Sequence, residues 1–387
     1  MTLSDERREL LRLLAARKPT TPGQLRFWRL HQRDPRDPAY SWPWAVRLPS
    51  PVDVARLRRA LDTVLARHEL LTSCFSADDD GLWQTACGGP ELRMLDADVQ
   101  TALRADNELP FRLDAEPPIR VTLLPGDVLL VNVHNIANDG WSMRVFLDDL
   151  MRAYTGSALP EPTLQYHEHA ARQRKWLDGP EAARQLAYWE RRLDGLEIRN
   201  GTSSQSTVER VRIPRETAEA VRELGRKCKA TPFMTLFGLF AGMHDQKEIA
   251  IGTSVSGRTP EVERTIGYFV NRIVLRMNTR GSVEDVVGRA RTMALEAFAH
   301  SAVPFEHLVE RLYPNEYLTP APLVDVMFVL DSPRGPVIEP EYRTSKFTLV
   351  VNVQPVEDGL VVEAHHPSGA SHGVLRDYAQ LLKGLTT

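Results

Sequence analysis

The chain has 387 residues, 42% of them hydrophobic and 26% charged, which is the balance of an ordinary globular protein of two domains or one large two-lobed unit. A formal net charge of -3 offers no basic field for nucleic acid. There is no apolar run of about 18 residues to span a membrane, and no uninterrupted apolar core of a signal peptide near the N-terminus. Cys74, Cys87 and Cys228 lie far apart with no C-x-x-C spacing, so neither a zinc site nor an even disulfide framework is expected, and a reducing cytoplasm is the simplest compartment.

Residues 4–17 read as an amphipathic helix, with Leu10, Leu11, Leu13 and Leu14 on one side and Pro19 and Pro22 ending it. A second helix is expected over about 52–68, with Asp53 near its start. Residues 119–134 read as a hairpin turning at Pro125-Gly126-Asp127, and the run Val128 to Val133 has the nearly unbroken apolar pattern of a strand covered on both faces. Trp141, Val145, Phe146, Leu150 and Tyr154 are spaced for one face of a helix over 141–154, and a further helix covers 180–194. The stretch NGTSSQST at 200–207 reads as a linker. Beyond it the pattern gives a strand at 208–213, helices at 215–229 and 232–244, strands at 248–256 and 266–277, and helices at 282–300 and 304–313. Strands near 323–330, 346–353 and 359–366 follow. This order has no regular βαβ beat, so an α+β or mixed-sheet architecture in two lobes split near residue 200 is expected.

Several common sites are absent. The chain has no P-loop, no dinucleotide-binding glycine pattern, no G-x-S-x-G elbow and no H-E-x-x-H. The stretch from Gly252 to Gly257 reads as a turn. His365 and His366 are adjacent on a strand and face opposite ways, so they cannot converge on one metal ion, and no metal site is expected.

The segment with chemical content is Val131-Asn132-Val133-His134-Asn135-Ile136-Ala137-Asn138-Asp139-Gly140-Trp141-Ser142. An apolar strand ends in polar residues, passes through an Asp-Gly turn and enters an amphipathic helix. Polar side chains at the end of a buried strand often line a cleft. By itself the window reads equally as a satisfied core histidine beside a turn. In wider context it resembles the His-His-x-x-x-Asp-Gly motif of the condensation domains of nonribosomal peptide synthetases, within the chloramphenicol-acetyltransferase-like superfamily. Other motifs of that family follow in order. Thr21 to Trp28 resembles the opening motif, Arg67 to Phe75 the Arg-His-Glu motif, and Gln165-Tyr166 through Gln173-Arg174 a worn fourth motif. Ile266-Gly267-Tyr268-Phe269-Val270-Asn271, ending at Arg276, resembles the Gly-x-Phe-Val-Asn motif. His300 with Pro304-Phe305-Glu306 resembles the next, and Pro322 to Phe328 keeps the end of the last.

This resemblance implies two chloramphenicol-acetyltransferase-like lobes in a V, with mixed sheets, flanking helices and a tunnel at their interface. An N-terminal helix would occupy 1–19, a lobe carrying the His134-Asn135 motif 20–199, and a second lobe 200–387. It implies amide or ester formation between a carrier-bound thioester donor and an amine or hydroxyl acceptor. The site then has to orient two tethered substrates and exclude water. No intrinsic cofactor or metal is implied. The substrates ride on phosphopantetheine arms of peptidyl or aryl carrier proteins, with a CoA thioester less favoured, and neither nucleic acid nor membrane is a partner. With 387 residues filled by the two lobes, no adenylation or carrier segment is expected, and carriers would come in trans.

The resemblance places His134, Asn135, Asp139 and Gly140 at the catalytic position and Trp141, Ser142 and Arg276 in support. Asp139 is expected to pair with Arg276, and Gly140 to occupy a turn where a Cβ is unwelcome. Trp28, Tyr268, Asn271 and Arg272 would line the tunnel, although strand alternation sends Asn271 and Arg272 to opposite faces. The chain departs from the family at Asn135, where the second histidine belongs. An amide donates and accepts hydrogen bonds but does not take up a proton near neutrality, and general acid–base help is typically worth about 10²–10⁴-fold. Arg272 replaces a small threonine, and Glu316, Tyr317 and Thr319-Pro320-Ala321 stand where the last motif has other residues. Two readings follow. One is a condensing acyltransferase that works by positioning, with Asn135 orienting the acceptor or steadying the oxyanion. The other is a catalytically degenerate module that binds carrier-bound peptide or recruits a tailoring enzyme.

Overall fold

The computed structural model describes residues 16–244, 247–331, 335, 337–340, 343–367 and 373–386. The helix expected over 4–17 therefore falls almost wholly outside the described residues. Two compact units are present. The first comprises Met1–Gly179, Arg258–Phe269 and Pro336–Glu341, and the second Pro180–Gly257, Val270–Gly335 and Tyr342–Thr387. The chain thus changes unit at Gly179 rather than near residue 200, and the first unit takes back two segments from the later half of the chain.

The first unit is built on a five-stranded sheet in the order Val337–Ile338, Ser41–Arg47, Val128–His134, Ile119–Leu124, Leu92–Met94. The hairpin read from the sequence is there, pairing Ile119 with Val133 and Leu124 with Val128. Every residue of Val128–His134 is buried, as an apolar strand covered on both faces requires. On one face Val128 and Leu130 pack with Ala45 and Leu124 against Ala102 and Leu103 of the helix Val99–Glu108. On the other, the Trp44 ring meets Phe146 of the helix Gly140–Thr155. Each fully buried valine or leucine side chain here contributes about 1.5–3 kcal/mol. The helix Val54–Arg67 begins where Asp53 accepts the Arg56 N–H at 3.0 Å, an N-cap that satisfies one of the free donors of the first turn.

A separate three-stranded sheet holds the hairpin Ser73–Asp78 and Gly81–Ala86. Its register puts Cys74 opposite Thr85, which brings Cys87 within reach. Cys74 and Cys87 form a disulfide, with Cα atoms 5.6 Å apart. This corrects the expectation of unpaired cysteines: residues thirteen apart in sequence are brought together by antiparallel pairing that spacing alone does not reveal. Cys228 is free.

The second unit is built on a seven-stranded mixed sheet in the order Asn271–Met277, Ile249–Val255, Val326–Leu330, Leu349–Val356, Gly359–Pro367, Ser204–Pro214, Arg343–Ser345. Phe237, Phe240 and Phe328 form an aromatic centre with Tyr378, whose hydroxyl donates to the Leu236 carbonyl at 2.8 Å. Three expectations change here. The supposed linker is half strand, because residues from Ser204 onward pair with Gly359–Pro367 and Arg343–Ser345. The supposed turn from Gly252 lies largely inside the strand Ile249–Val255. The strand expected over 266–277 begins only at Asn271. Among the described residues no helix is long and apolar enough to cross a membrane.

Candidate functional site

The motif strand ends at His134, and the next three residues, Asn135–Ala137, form a single 3₁₀ turn before the helix Gly140–Thr155. His134 is buried and its Nδ1 accepts the Ile136 N–H at 3.1 Å, so the neutral ring carries its proton on Nε2. Phe27, His31 and Phe111 meet the imidazole edge-to-face at centroid distances of 6.4, 5.5 and 5.8 Å. Burial pulls the His31 pKa below its usual range, against the pull of Asp114 and the Phe111 backbone. His134 is therefore a fixed acceptor that shapes the turn. From the opposite side Gln24, wholly buried in the helix Pro22–Arg33, donates through Nε2 to the Ile136 carbonyl at 3.1 Å. Its Oε1 accepts the Thr21 N–H in a capping box, which fixes the amide's orientation.

Asn135 differs from its neighbours. From Val131 to Asp139 it is the one residue that is not buried. Among the described residues its side-chain amide has no hydrogen-bond partner. The turn thus presents one carboxamide with a donor and an acceptor free, on a backbone held by His134 and Gln24.

Asp139 caps the motif helix: its Oδ1 accepts the Ser142 N–H at 2.8 Å. The same oxygen accepts from Arg258 Nη2 at 2.9 Å, and Oδ2 accepts the Phe269 N–H at 3.1 Å. This corrects the expected Asp139–Arg276 pair. Arg276 instead donates to Glu248 at 2.8 Å and to the Arg192 and Asp194 carbonyls, all within the second unit. Arg258 also donates to Ser142 Oγ and to the Val262 and Thr265 carbonyls, and its guanidinium lies 4.2 Å from the Phe269 ring centroid. The Ser142 hydroxyl is saturated: it donates to the Gly267 carbonyl and accepts from Gly267 N–H and Arg258. Trp141, more than a third exposed, donates from Nε1 to the Glu263 carbonyl at 2.8 Å. Motif side chains thus take the Glu263 carbonyl, both Gly267 backbone groups and the Phe269 N–H, groups that a strand would give to its ladder.

The fourth-motif tyrosine completes the clasp. Tyr166 donates to the Tyr268 carbonyl at 2.6 Å and its ring lies directly under Gly267. A Cβ on Gly267 would come 2.0 Å from that ring, whereas one on Gly140 would meet only Trp42 at an ordinary 3.6 Å. The glycine demanded by packing is Gly267, and the expectation for Gly140 is corrected. Tyr268 itself packs edge-on against Phe27 at 4.8 Å, and Trp28 is buried.

Further along the motif helix, Asp149 is fully buried beside the Arg-His-Glu motif. It accepts from His68 Nε2 at 2.8 Å, lies 3.3 Å from Arg67 Nε and pairs with Arg264. Burial lowers the His68 pKa although the Asp149 contact opposes it, so His68 is the neutral donor here.

Asn271 and Arg272 are engaged inside the second unit. The Asn271 amide donates to the Ser301 and Val303 carbonyls and its oxygen accepts the Phe305 N–H, all at 2.8 Å. Both N–H donors and the oxygen are engaged around the start of the helix Phe305–Leu312, so this side chain locks structure. Arg272 lies between the Phe305 and Phe347 rings, at 4.7 and 4.8 Å. His300 stacks on Tyr188 at 3.8 Å. Sequence reasoning missed Arg258 and Arg264 as site builders. The available signal was a carboxylate on a largely buried element, Asp139 for the first and Asp149 for the second, which calls for a cation somewhere in the chain. Among the described residues no three His, Cys, Asp or Glu side chains are grouped so as to hold a metal ion.

Comparison with known proteins places these features. The chain is 32% identical over 398 residues to one of the linear gramicidin synthase proteins of Brevibacillus parabrevis, a match covering 89% of this chain and 8% of that protein. It is 32% identical over 355 residues to the phosphinothricin tripeptide synthetase PhsC of Streptomyces viridochromogenes, covering 82% and 33%. The chain therefore spans a small part of the length of these relatives. Among solved structures, the condensation domain of the monacolin K polyketide synthase MokA superposes with a TM-score of 0.80 at 20% identity, covering 96% of this chain and 97% of that one. The X-domain from teicoplanin biosynthesis, solved in complex with OxyB, superposes with a TM-score of 0.82 at 24% identity, covering 96% and 93%. These last two likenesses concern the fold, which is that of condensation domains. The condensation-domain model itself matches residues 15–366, and with nine-tenths of its length so matched the chain belongs to the condensation-domain family.

Proposed function

We propose that the protein forms an amide or ester between a carrier-bound thioester and an amine or hydroxyl acceptor in nonribosomal peptide biosynthesis, and that it does so by positioning. The observation that carries this reading is the Asn135 carboxamide, half-buried and unpartnered among the described residues, on a turn held by His134, Gln24 and the Asp139–Arg258 clasp. A clasp of this density is what an enzyme needs to hold a single group in fixed orientation. A thioester is already activated and a neutral amine is already nucleophilic. Orienting the acceptor N–H or the developing oxyanion is therefore chemistry an amide can supply. The proton leaves with solvent or within the substrate, because Asn135 takes none.

A second reading rests on the same residue. Without a proton acceptor at position 135, the module would bind a carrier-bound peptide and recruit a tailoring enzyme, in the manner of the X-domain solved with OxyB. Purified protein offered loaded donor and acceptor carriers, followed by intact-protein mass spectrometry, separates the two. Joined product supports condensation. Carrier binding without product across several substrate pairs supports recruitment.

A further inference from the structure

The second unit carries a basin of about 550 Å³ at the end of the strand Asn271–Met277, whereas the motif turn belongs to the first unit. Arg191 and Arg192 reach it from the helix Pro180–Leu193, Lys247 from the segment before the strand Ile249–Val255, Arg276 from its own strand and Arg289 from the helix Val283–Ala299. Two carboxylates, Glu248 and Glu296, share the lining. A chain with a net charge of -3 has therefore gathered five cations from four segments around one concavity.

Three of the five, Arg192, Arg276 and Arg289, are held in place by backbone carbonyls. Arg192 donates to the Arg276 carbonyl at 2.5 Å, and Arg289 to the Asn278 carbonyl at 2.9 Å and to the Arg280 carbonyl. Backbone carbonyls fix a guanidinium without cancelling its charge. Among the described residues, Arg276 is the one cation of the five in an ion pair, with Glu248 at 2.8 Å. Glu248 is pulled below the usual carboxylate range by Arg276 first, and also by Arg192 and Lys247. Arg191 and Lys247 are exposed and have no hydrogen-bond partner among the described residues, which leaves their donors for a ligand.

We infer that this basin binds a phosphate-bearing small molecule. A single carboxylate uses one guanidinium fork. Several fixed cations converging from different segments match a group with more than one negative charge and tetrahedral acceptors on several sides. The volume suits a ligand of nucleotide size. The inference does not depend on the reaction proposed above.

The test is isothermal titration of the purified chain with inorganic pyrophosphate, ADP and adenosine, using the native protein, the double variant Arg191→Ala/Lys247→Ala and a control, Lys383→Ala, on the helix Val374–Gly384. Both substituted basin side chains are exposed, so folding is preserved and is checked by circular dichroism. The phosphate compounds are expected to bind at least tenfold more tightly than adenosine, and the double variant to weaken them about tenfold while Lys383→Ala leaves them unchanged. ADP tighter than pyrophosphate assigns the ligand to nucleotides, and equal affinity assigns recognition to the phosphates alone. No binding of either phosphate compound at millimolar concentration, adenosine binding as well as ADP, or a double variant that binds like the native chain would overturn the inference.

Discussion

Arg258 and Asp139 lie 119 residues apart in sequence and 2.9 Å apart in the structure, with side chains 6% and 2% exposed. The pair fastens the segment Arg258–Phe269 to the start of the motif helix inside one compact unit. Removing one partner of a buried, hydrogen-bonded pair leaves a charge without compensation, at a cost of about 3–5 kcal/mol. Arg258→Ala is therefore expected to lower the unfolding free energy by that amount in urea denaturation. Arg276→Ala breaks a pair whose carboxylate, Glu248, is more than half exposed, and is expected to cost clearly less. Equal losses for the two variants would show that the clasp is misassigned.

Gly267 and Gly140 make a second contrast. Gly267→Ala forces a methyl into the Tyr166 ring, which is buried and cannot swing away. Overpacking of this kind costs about 1–3 kcal/mol or more, so a lower melting temperature is expected. Gly140→Ala, with 3.6 Å to the Trp42 ring, is expected to melt within about a degree of the native chain.

The Cys74–Cys87 bond closes a short loop across thirteen residues of sequence separation. Chain entropy assigns such a loop about 3 kcal/mol. Dithiothreitol is expected to lower the melting temperature of the native chain and to leave Cys74→Ser unaffected by the reductant. Free-thiol labelling of the unreduced protein should find Cys228 alone.

Stability should fall as the medium is acidified. Burial first, then the nearby Arg258 and Arg172 charges, push the His169 pKa down to about 4 from an ordinary 6.5. Between those values the unfolded chain binds a proton that the folded chain refuses, so unfolding free energy rises with pH through that window. Acidification from pH 6.5 toward 4 removes that contribution. His31, His68, His167 and His244 are shifted the same way and add to it. Replacing His169 with Gln is expected to flatten the slope between pH 6.5 and 4, as read by urea titrations at successive pH values.

Local patterns in the sequence reach some of this architecture and miss the rest for identifiable reasons. The nearly unbroken apolar run from Val128 to Val133 and the helical spacing from Trp141 were legible because burial on both faces and on one face leave those signatures. The family motifs pointed to Gln24, His68, Tyr166, Asp139 and Gly267, which the fold gathers around one turn and the segment it clasps. Arg258 left no trace, since a partner 119 residues away is a tertiary fact. Residues 266–270 look like strand because they are apolar, yet Asp139 and Ser142 take the backbone groups a ladder would use. Ser204 to Thr207 look like linker because they are polar, yet Gly359–Pro367 and Arg343–Ser345 supply their ladder partners.

The central claim is that Asn135 positions a reacting group. The most direct measurement is the single-turnover rate of product formation from loaded carriers, native chain against Asn135→Ala. Loss of one hydrogen-bonding group at a reacting centre typically costs about 10²–10³-fold, and a fall of that size, with carrier affinity unchanged, is the expected result. Product formed at the same rate by Asn135→Ala, or no product from the native chain while carriers still bind, would contradict it.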